Sequence, residues 1–386
     1  AVKIEPNYKR GPAIHVVDAS RAVGVASQLL NPEQHDELAG SVRAEYANLR
    51  QKHAGRSARK RLQPLADARA NSFKPDWQTY TPPTPAFTGV RVFDDVDLNE
   101  VRPYIDWTPF FATWELAGQY PKILDDPEVG DAARQLYDDA QKLLDRIIAE
   151  KLLTAKAVIG LFPAASMGDD IVLNNGGETP RTIHCLRQQM EKPPGRPNYC
   201  LADFIAPLES GKQDSIGMFA VTAGIGLEEV VADFEAQHDD YCAILSKALA
   251  DRLAEALAEY MHKRVREELW GYAAQGPLDN GALIREEYQG IRPAPGYPAC
   301  PDHTEKGELF RILDATQTAN IMLTESFAML PAASVSGYYF SHPQAAYFGI
   351  GRVNRDQVED YARRKGMDVA TVERWLAPNL AYDPNA

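Results

Sequence analysis

The chain has 386 residues, 45% of them hydrophobic and 25% charged, with a formal net charge of −13. That length holds about two or three domains, the composition excludes a chain that is disordered or collagen-like throughout, and no stretch approaches the ~18 apolar residues of a membrane helix. The acidic balance argues against a surface built to neutralise phosphates, so neither nucleic acid nor a membrane is the expected partner.

In chain order, residues 13–20 (AIHVVDAS) read as an apolar strand and RAVGVASQLL as the helix after it, the end of a parallel α/β unit. One strand and one helix cannot bury both faces of a sheet, so residues 1–50 are expected to be the remnant of an α/β domain belonging to a larger protein. Residues 51–89 are expected to be a linker. They open with a basic run (Lys52, Arg56, Arg59, Lys60, Arg61), read as a solvated tether or a docking point for an acidic partner, and end in the proline-rich TYTPPTPAFTG.

From residue 90 the pattern is mixed. Leu136, Leu143, Leu144, Ile147 and Leu152 recur at helical spacing, AKAVIGLFPA and DDIVL read as strands around a Ser166-Met167-Gly168 turn, and YCLADFIAP and DSIGMFAVTAG are strand-like. Residues 227–270 form a long helical stretch. Paired strands with few, long helices predict an α+β fold, a mixed or antiparallel sheet with long flanking helices. The four cysteines, Cys185, Cys200, Cys242 and Cys300, form no CxxC pair, and the start AVKIEPNYKRGP has no signal-peptide layout. A cytoplasmic protein with reduced thiols is expected.

Several motifs invite a functional reading. Gly224-Ile225-Gly226 between a strand and a helix mimics a dinucleotide-binding turn, but the third glycine is missing and Glu229 would face a pyrophosphate, so an ordinary connection is favoured. Residues 358–376 read as helix, Gly366 turn and helix, without the basic excess of a DNA reader, hence a packed hairpin. Cys300 and His303 have no second ligand pair, so a structural role is favoured over a metal. Asp106 lies among aromatic residues in PYIDWTPFFATWEL, a setting suited to an ammonium or sulfonium ligand, or else a cap beside core tryptophans. RPAPGYP, residues 292–298, is stiffened by proline and carries Arg292 at its mouth, a cradle for a carboxylate or a purely structural turn.

At these segments the sequence resembles a known family. YIDWTPFFATWELAGQYP, VIGLFPA with GDDI, YCLADFIAP, EAQHDDY, KALADRLAEALAEY, the RxxxGY string of Arg292, Gly296 and Tyr297, SVSGYYFSHP and DQVEDYARRKGM together resemble the C-terminal activation domain of cobalamin-dependent methionine synthase. The resemblance spans essentially all of residues 90–386, and AVKIEPNYKRGPAIHVVDASRAVGV resembles the end of that enzyme's cobalamin-binding domain. The family's D-x-H-x-x-G cobalt-ligand motif, its zinc-bearing homocysteine module and its folate module are not in this chain.

The resemblance implies a methyltransferase of methionine biosynthesis in which this module binds S-adenosylmethionine and supports reductive methylation of cob(II)alamin, with an electron from flavodoxin or a flavoprotein reductase. A module that senses S-adenosylmethionine without chemistry is the alternative. Carried over residue by residue, Arg292 would hold the ligand carboxylate and Asp106 its amino group. Glu255 and Glu286 would lie near the sulfonium and amine end, Gly296, Tyr297, Tyr347 and Phe348 would complete the pocket, and Ala19 would touch cobalamin. Cobalamin would be bound mainly by the neighbouring cobalamin-binding domain, and zinc would belong to the full-length enzyme alone.

Overall fold

The computed structural model describes residues 4–5, 8, 10–16, 19–57, 61–173, 181–273 and 278–384, and divides into two compact units, Ala1–Gln63 and Pro64–Ala386. The first unit contains helices Ala19–Leu30 and Pro32–Ser57, with Ala39 and Tyr46 buried and the His15 N–H donating to the Tyr46 hydroxyl at 2.8 Å. The strand expected over 13–20 does not form in its described part: residues 13–16 have no regular structure, 17 and 18 lie outside the described residues, and Ala19 already opens a helix. A strand needs a neighbour for its N–H and C=O groups, and the described residues of this unit supply none.

The expected linker is also corrected. Residues 51–57 continue helix Pro32–Ser57, while residues 58–60 lie outside the described residues. Residues 64–89 belong to the second unit: Leu65 and Ala68 are buried, Arg69 pairs with Asp169 and Asp360, and Trp270 Nε1–H donates to the Pro83 carbonyl at 2.9 Å. The prolines do keep this segment extended, as their fixed φ requires, but Pro82 and Pro85 are buried against the unit instead of solvated.

The second unit is built on an antiparallel sheet of β1 (Gly89–Phe93), β2 (Thr154–Met167), β3 (Asp170–Leu173), β4 (Arg181–His184), β5 (Asp214–Ile225) and β8 (Ser334–Tyr339); β6 (Met322–Leu323) and β7 (Met329–Leu330) form a separate two-stranded pair. The order is β4-β3-β2-β5-β8, with β1 also on β2, and every ladder is antiparallel. The α+β expectation therefore holds. Successive side chains on a strand face opposite ways. Phe219, Val221 and Ala223 of β5 accordingly pack toward helices Gly130–Ala149 and Asp240–Arg264, and Ile216, Met218 and Ala220 toward helix Glu305–Leu313. Burial on both faces explains why β5 is continuously apolar from Ile216 to Val221 instead of alternating with polar residues.

Three local readings differ in detail. The helical stretch over 227–270 breaks into Leu227–Ala236 and Asp240–Arg264, because His238 takes a left-handed φ of 58° and Asp239 caps the second helix through the Cys242 N–H at 2.9 Å. YCLADFIAP contains the short 3-10 helix Leu201–Phe204 in place of a strand, since Asp203 turns back to accept from the Cys200 N–H at 2.9 Å and pairs with Arg187. Gly226 takes a φ of 92°, and a Cβ there would lie 2.4 Å from the Leu152 carbonyl, so backbone geometry accounts for this glycine. The C-terminal helices Arg355–Lys365 and Val369–Trp375 form a hairpin about Gly366 whose Val358, Tyr361, Ala362 and Val372 are buried. No helix among the described residues is long and apolar enough to cross a membrane.

Candidate ligand-binding site

The site begins at β8. Tyr338 N–H donates to the Pro293 carbonyl at 2.9 Å, and Phe340 and Ile291 exchange N–H···O bonds of 3.0 and 3.1 Å, so the proline-stiffened segment is stitched onto the end of the sheet. Part of its backbone hydrogen-bonding capacity is thus used in pairing, which the sequence does not reveal. Gly337 makes the approach possible, since a Cβ there would sit 2.6 Å from the Pro293 oxygen. Gly296, at a φ of 96°, donates its N–H to the Cys300 carbonyl at 2.7 Å, and a Cβ would strike the His303 ring at 2.4 Å. That turn leaves Tyr297 58% exposed at the mouth of a cleft.

The cleft has two lobes that share Glu255, Glu286 and Arg292. The smaller, about 250 Å³, is polar and is also lined by Asp106, Arg252 and Glu259. The larger, about 500 Å³, is walled by Phe219, Val335, Phe348, Tyr297 and Tyr347, among others. One end suits charged groups and the other a flat apolar ring, a common division in small-molecule sites. Of the expected site residues, Asp106, Glu255, Glu286, Arg292, Tyr297, Tyr347 and Phe348 line the cleft. Gly296 is not among the lining residues and shapes the turn that presents Tyr297. Ala19 opens helix Ala19–Leu30 in the first unit.

Asp106 follows the short helix Arg102–Tyr104, and its Oδ1 accepts from the Thr108 N–H at 3.0 Å. Trp107, Phe110 and Phe111 are core residues, the Trp107 ring 5.0 Å from that of Tyr137. The rings of Trp107, Phe110 and Phe111 therefore belong to the core, and the half-buried acid lines the cleft. Opposite it, Arg252 is followed three and four residues later by Glu255 and Ala256, and these in turn by Glu259 at four and three, so that the helix presents one face to the cavity. Glu286 has a φ of 56°, a left-handed conformation uncommon for a side chain of this size. Burial raises its carboxyl pKa, while Arg292 acts the other way.

Apart from Tyr347, the residues that anchor Arg292 are ones the sequence did not single out. Its Nη1 pairs with Glu259, donates to the Tyr288 hydroxyl at 3.0 Å and lies 3.4 Å from His262 Nδ1, while its backbone N–H donates to the Tyr347 hydroxyl at 3.0 Å. Among the described residues, every side-chain hydrogen bond of Arg292 leaves from Nη1. Glu259 also meets Arg266 at 3.4 Å, and the Arg266 guanidinium lies 4.0 Å from the centre of the Tyr288 ring. Burial, with Arg266 and Arg292 beside it, drives the His262 pKa well below its ordinary value. A neutral imidazole next to a guanidinium must accept at Nδ1, so Nε2 carries the proton and donates to the Tyr272 hydroxyl at 3.2 Å. Burial opposes the charge on Arg292, but Glu259 reverses the balance and its pKa lies above the ordinary arginine value.

Glu255, Glu259, His262 and Arg266 stand at steps of four, three and four residues, one stripe of the helical chain. That spacing was the available signal for the anchoring set. Arg266 itself sits in the single π-helical turn Val265–Leu269, a widening that often accompanies functional sites. His303, one of the two side chains considered for a metal, packs over Gly296, and its Nδ1 lies 3.2 Å from Lys306 Nζ. A lysine ammonium only donates, so that nitrogen is an acceptor.

Residues 97–366 match the family model described as vitamin B12 dependent methionine synthase, activation domain. A crystal structure of the MetH reactivation domain bound to AdoHcy is similar to this chain at 56% identity with a TM-score of 0.81, covering 83% of this chain and 99% of that one. The chain belongs to the family of vitamin B12 dependent methionine synthase activation domains.

Proposed function

We propose that the unit Pro64–Ala386 binds S-adenosylmethionine in this cleft and presents its methyl group for the reductive reactivation of cobalamin. The observation that carries the reading is that Arg292 and Asp106, from segments far apart in sequence, line the same polar lobe. S-adenosylmethionine bears a carboxylate, an ammonium and a sulfonium. Arg292 offers a donor fork to the first, and Asp106 is the acceptor for the second. Glu255 and Glu286 supply negative charge near the sulfonium, and the adenine ring belongs in the lobe walled by Tyr297, Tyr347 and Phe348. The AdoHcy held by the similar reactivation domain supports this choice, because it has the same amino-acid and adenosine ends.

When bound, cobalamin supplies a cobalt nucleophile: cob(II)alamin plus one electron plus S-adenosylmethionine gives methylcobalamin plus S-adenosylhomocysteine. This chain's residues need only orient the donor, since transfer from a sulfonium demands alignment and no proton removal. On this reading the partners are the cobalamin-binding domain of the same enzyme, which Ala19 would help to form, and a flavodoxin or flavoprotein reductase, and the setting is the cytoplasm. Zinc has no role in the site and belongs to the homocysteine module of the whole enzyme. The test is to mix the chain with S-adenosylmethionine, cob(II)alamin and a reduced flavoprotein, and to follow methylcobalamin by absorbance. Its formation only with all components supports reactivation. Calorimetric binding of S-adenosylmethionine without any methylcobalamin favours a sensing module, and no heat of binding rejects the site.

A further inference from the structure

We infer that Glu259 is a positioning residue for Arg292: it fixes Nη1 so that the remaining edge of the guanidinium is aimed at a ligand carboxylate. The inference rests on the reading that Arg292 takes that carboxylate, and it adds a residue to which the resemblance assigns no role. Glu259 stands one helical turn beyond Glu255, and its side chain is only 9% exposed against 22% for that of Arg292. One carboxylate oxygen pairs with Arg292, and the other meets Arg266 at 3.4 Å. Tyr288 and His262 crowd the same Nη1.

A flexible arginine would otherwise lose several rotatable bonds on binding. Here the ordering has been done by the fold, so the ligand meets a preset fork. The charge arithmetic points the same way. Two guanidinium groups and one carboxylate, with His262 neutral, leave one positive charge in the anchoring cluster, which a ligand carboxylate balances.

Position and charge make opposite demands on substitutions at this residue, and that separates them. Glu259→Asp keeps the charge but withdraws the acceptor by one methylene. Glu259→Gln keeps one acceptor in place for Arg292, turns its NH2 toward Arg266 and removes the charge. Calorimetric titration with S-adenosylhomocysteine, which transfers no methyl group, is carried out on the full chain for wild type, each variant, Arg292→Ala and the Glu259→Asp, Arg292→Ala double variant. Ordering one rotamer-rich side chain on binding costs up to about tenfold in affinity, so Glu259→Asp is expected to weaken binding about tenfold while Glu259→Gln stays within about threefold of wild type. In the Arg292→Ala background the aspartate substitution is expected to have no further effect, because its action passes through the missing side chain.

Equal weakening by Asp and Gln, wild-type binding by Asp, or an unchanged aspartate effect without Arg292 overturns the inference. Failure of Arg292→Ala to weaken binding overturns the carboxylate assignment itself, a separate result. Melting temperatures of all variants accompany the titrations. If Glu259→Asp is unfolded before ligand is added, Glu259→Gln is read alone, where affinity near wild type supports position and weakened binding contradicts it; if Glu259→Gln is unfolded, Glu259→Asp is read alone, where weakening that vanishes without Arg292 supports position and wild-type binding contradicts it.

Discussion

The phenol of Tyr288 accepts a hydrogen bond from Nη1 of Arg292 at 3.0 Å, and the same ring lies 4.0 Å beneath the guanidinium of Arg266. Tyr288→Phe removes the first contact and keeps the second. A hydrogen bond with a charged partner contributes about 1.5–3 kcal/mol at most here, and Glu259 still holds Arg292. We therefore expect S-adenosylhomocysteine affinity to fall by about 1 kcal/mol, with the melting temperature nearly unchanged. A calorimetric titration showing full wild-type affinity would remove Tyr288 from the anchoring set.

Two glycines separate structure from ligand binding. A Cβ at Gly337 meets the Pro293 oxygen at 2.6 Å, directly behind Arg292, whereas one at Gly226 meets the Leu152 oxygen at 2.4 Å at a strand-to-helix turn and forces a positive φ on the new side chain. Overpacking of this kind costs roughly 1–3 kcal/mol. Both Gly337→Ala and Gly226→Ala are expected to lower stability in urea unfolding, but only Gly337→Ala to weaken ligand binding in the folded protein. Loss of affinity in Gly226→Ala at temperatures where it is folded would revive the nucleotide-turn reading.

The sequence made Arg292 and Asp106 visible because each stands in a segment of odd composition, one proline-rich and one aromatic. Glu255 was different: helix Asp240–Arg264 carries several acids, and only the family resemblance picked one out. Glu259, His262 and Arg266 were readable as a stripe but look like ordinary helix surface until the sheet brings Arg292 over them. The strand misread at 13–20 and the tether misread at 64–89 share a cause, since apolar runs and prolines report local preference while docking is decided by distant partners such as Trp270 and Asp169.

Arg187 is the centre of a buried network that joins distant segments. It is 2% exposed, binds Asp169 at 2.8 Å and grips Asp203 through two bonds of 2.8 and 2.7 Å, while Asp169 also holds Arg69. Removing one member of a buried pair strands the other charge, at a cost of about 3–5 kcal/mol. Arg187→Ala is expected to lose stability on that scale in denaturant titration. A loss under 1 kcal/mol would show that the network is solvated.

His342 gives the stability a pH dependence. Its ring is enclosed by Tyr80, Trp77 and Phe204 with centroids 4.7, 5.1 and 6.5 Å away, and burial lowers its pKa to about 4. Below pH 6.5 the unfolded chain takes up a proton that the native ring refuses, so stability is lost as pH falls from 6.5 toward 4. Asp214 runs the other way: burial raises it to about 6, so the native state gains a proton as pH falls through that value. The difference between wild type and His342→Phe isolates the histidine, and it is expected to shift progressively in favour of the variant over that window. A constant difference would contradict the assignment.

The central claim is that Arg292 holds the carboxylate of a ligand whose amino group meets Asp106. It is tested most directly by titrating wild type and Arg292→Ala with S-adenosylhomocysteine and with 5′-methylthioadenosine, which lacks the amino-acid end. Losing a charge-assisted pair costs about 2–5 kcal/mol, so the preference for S-adenosylhomocysteine is expected to drop by at least roughly 30-fold in the variant, with 5′-methylthioadenosine affinity unchanged. An undiminished preference in Arg292→Ala would contradict the account.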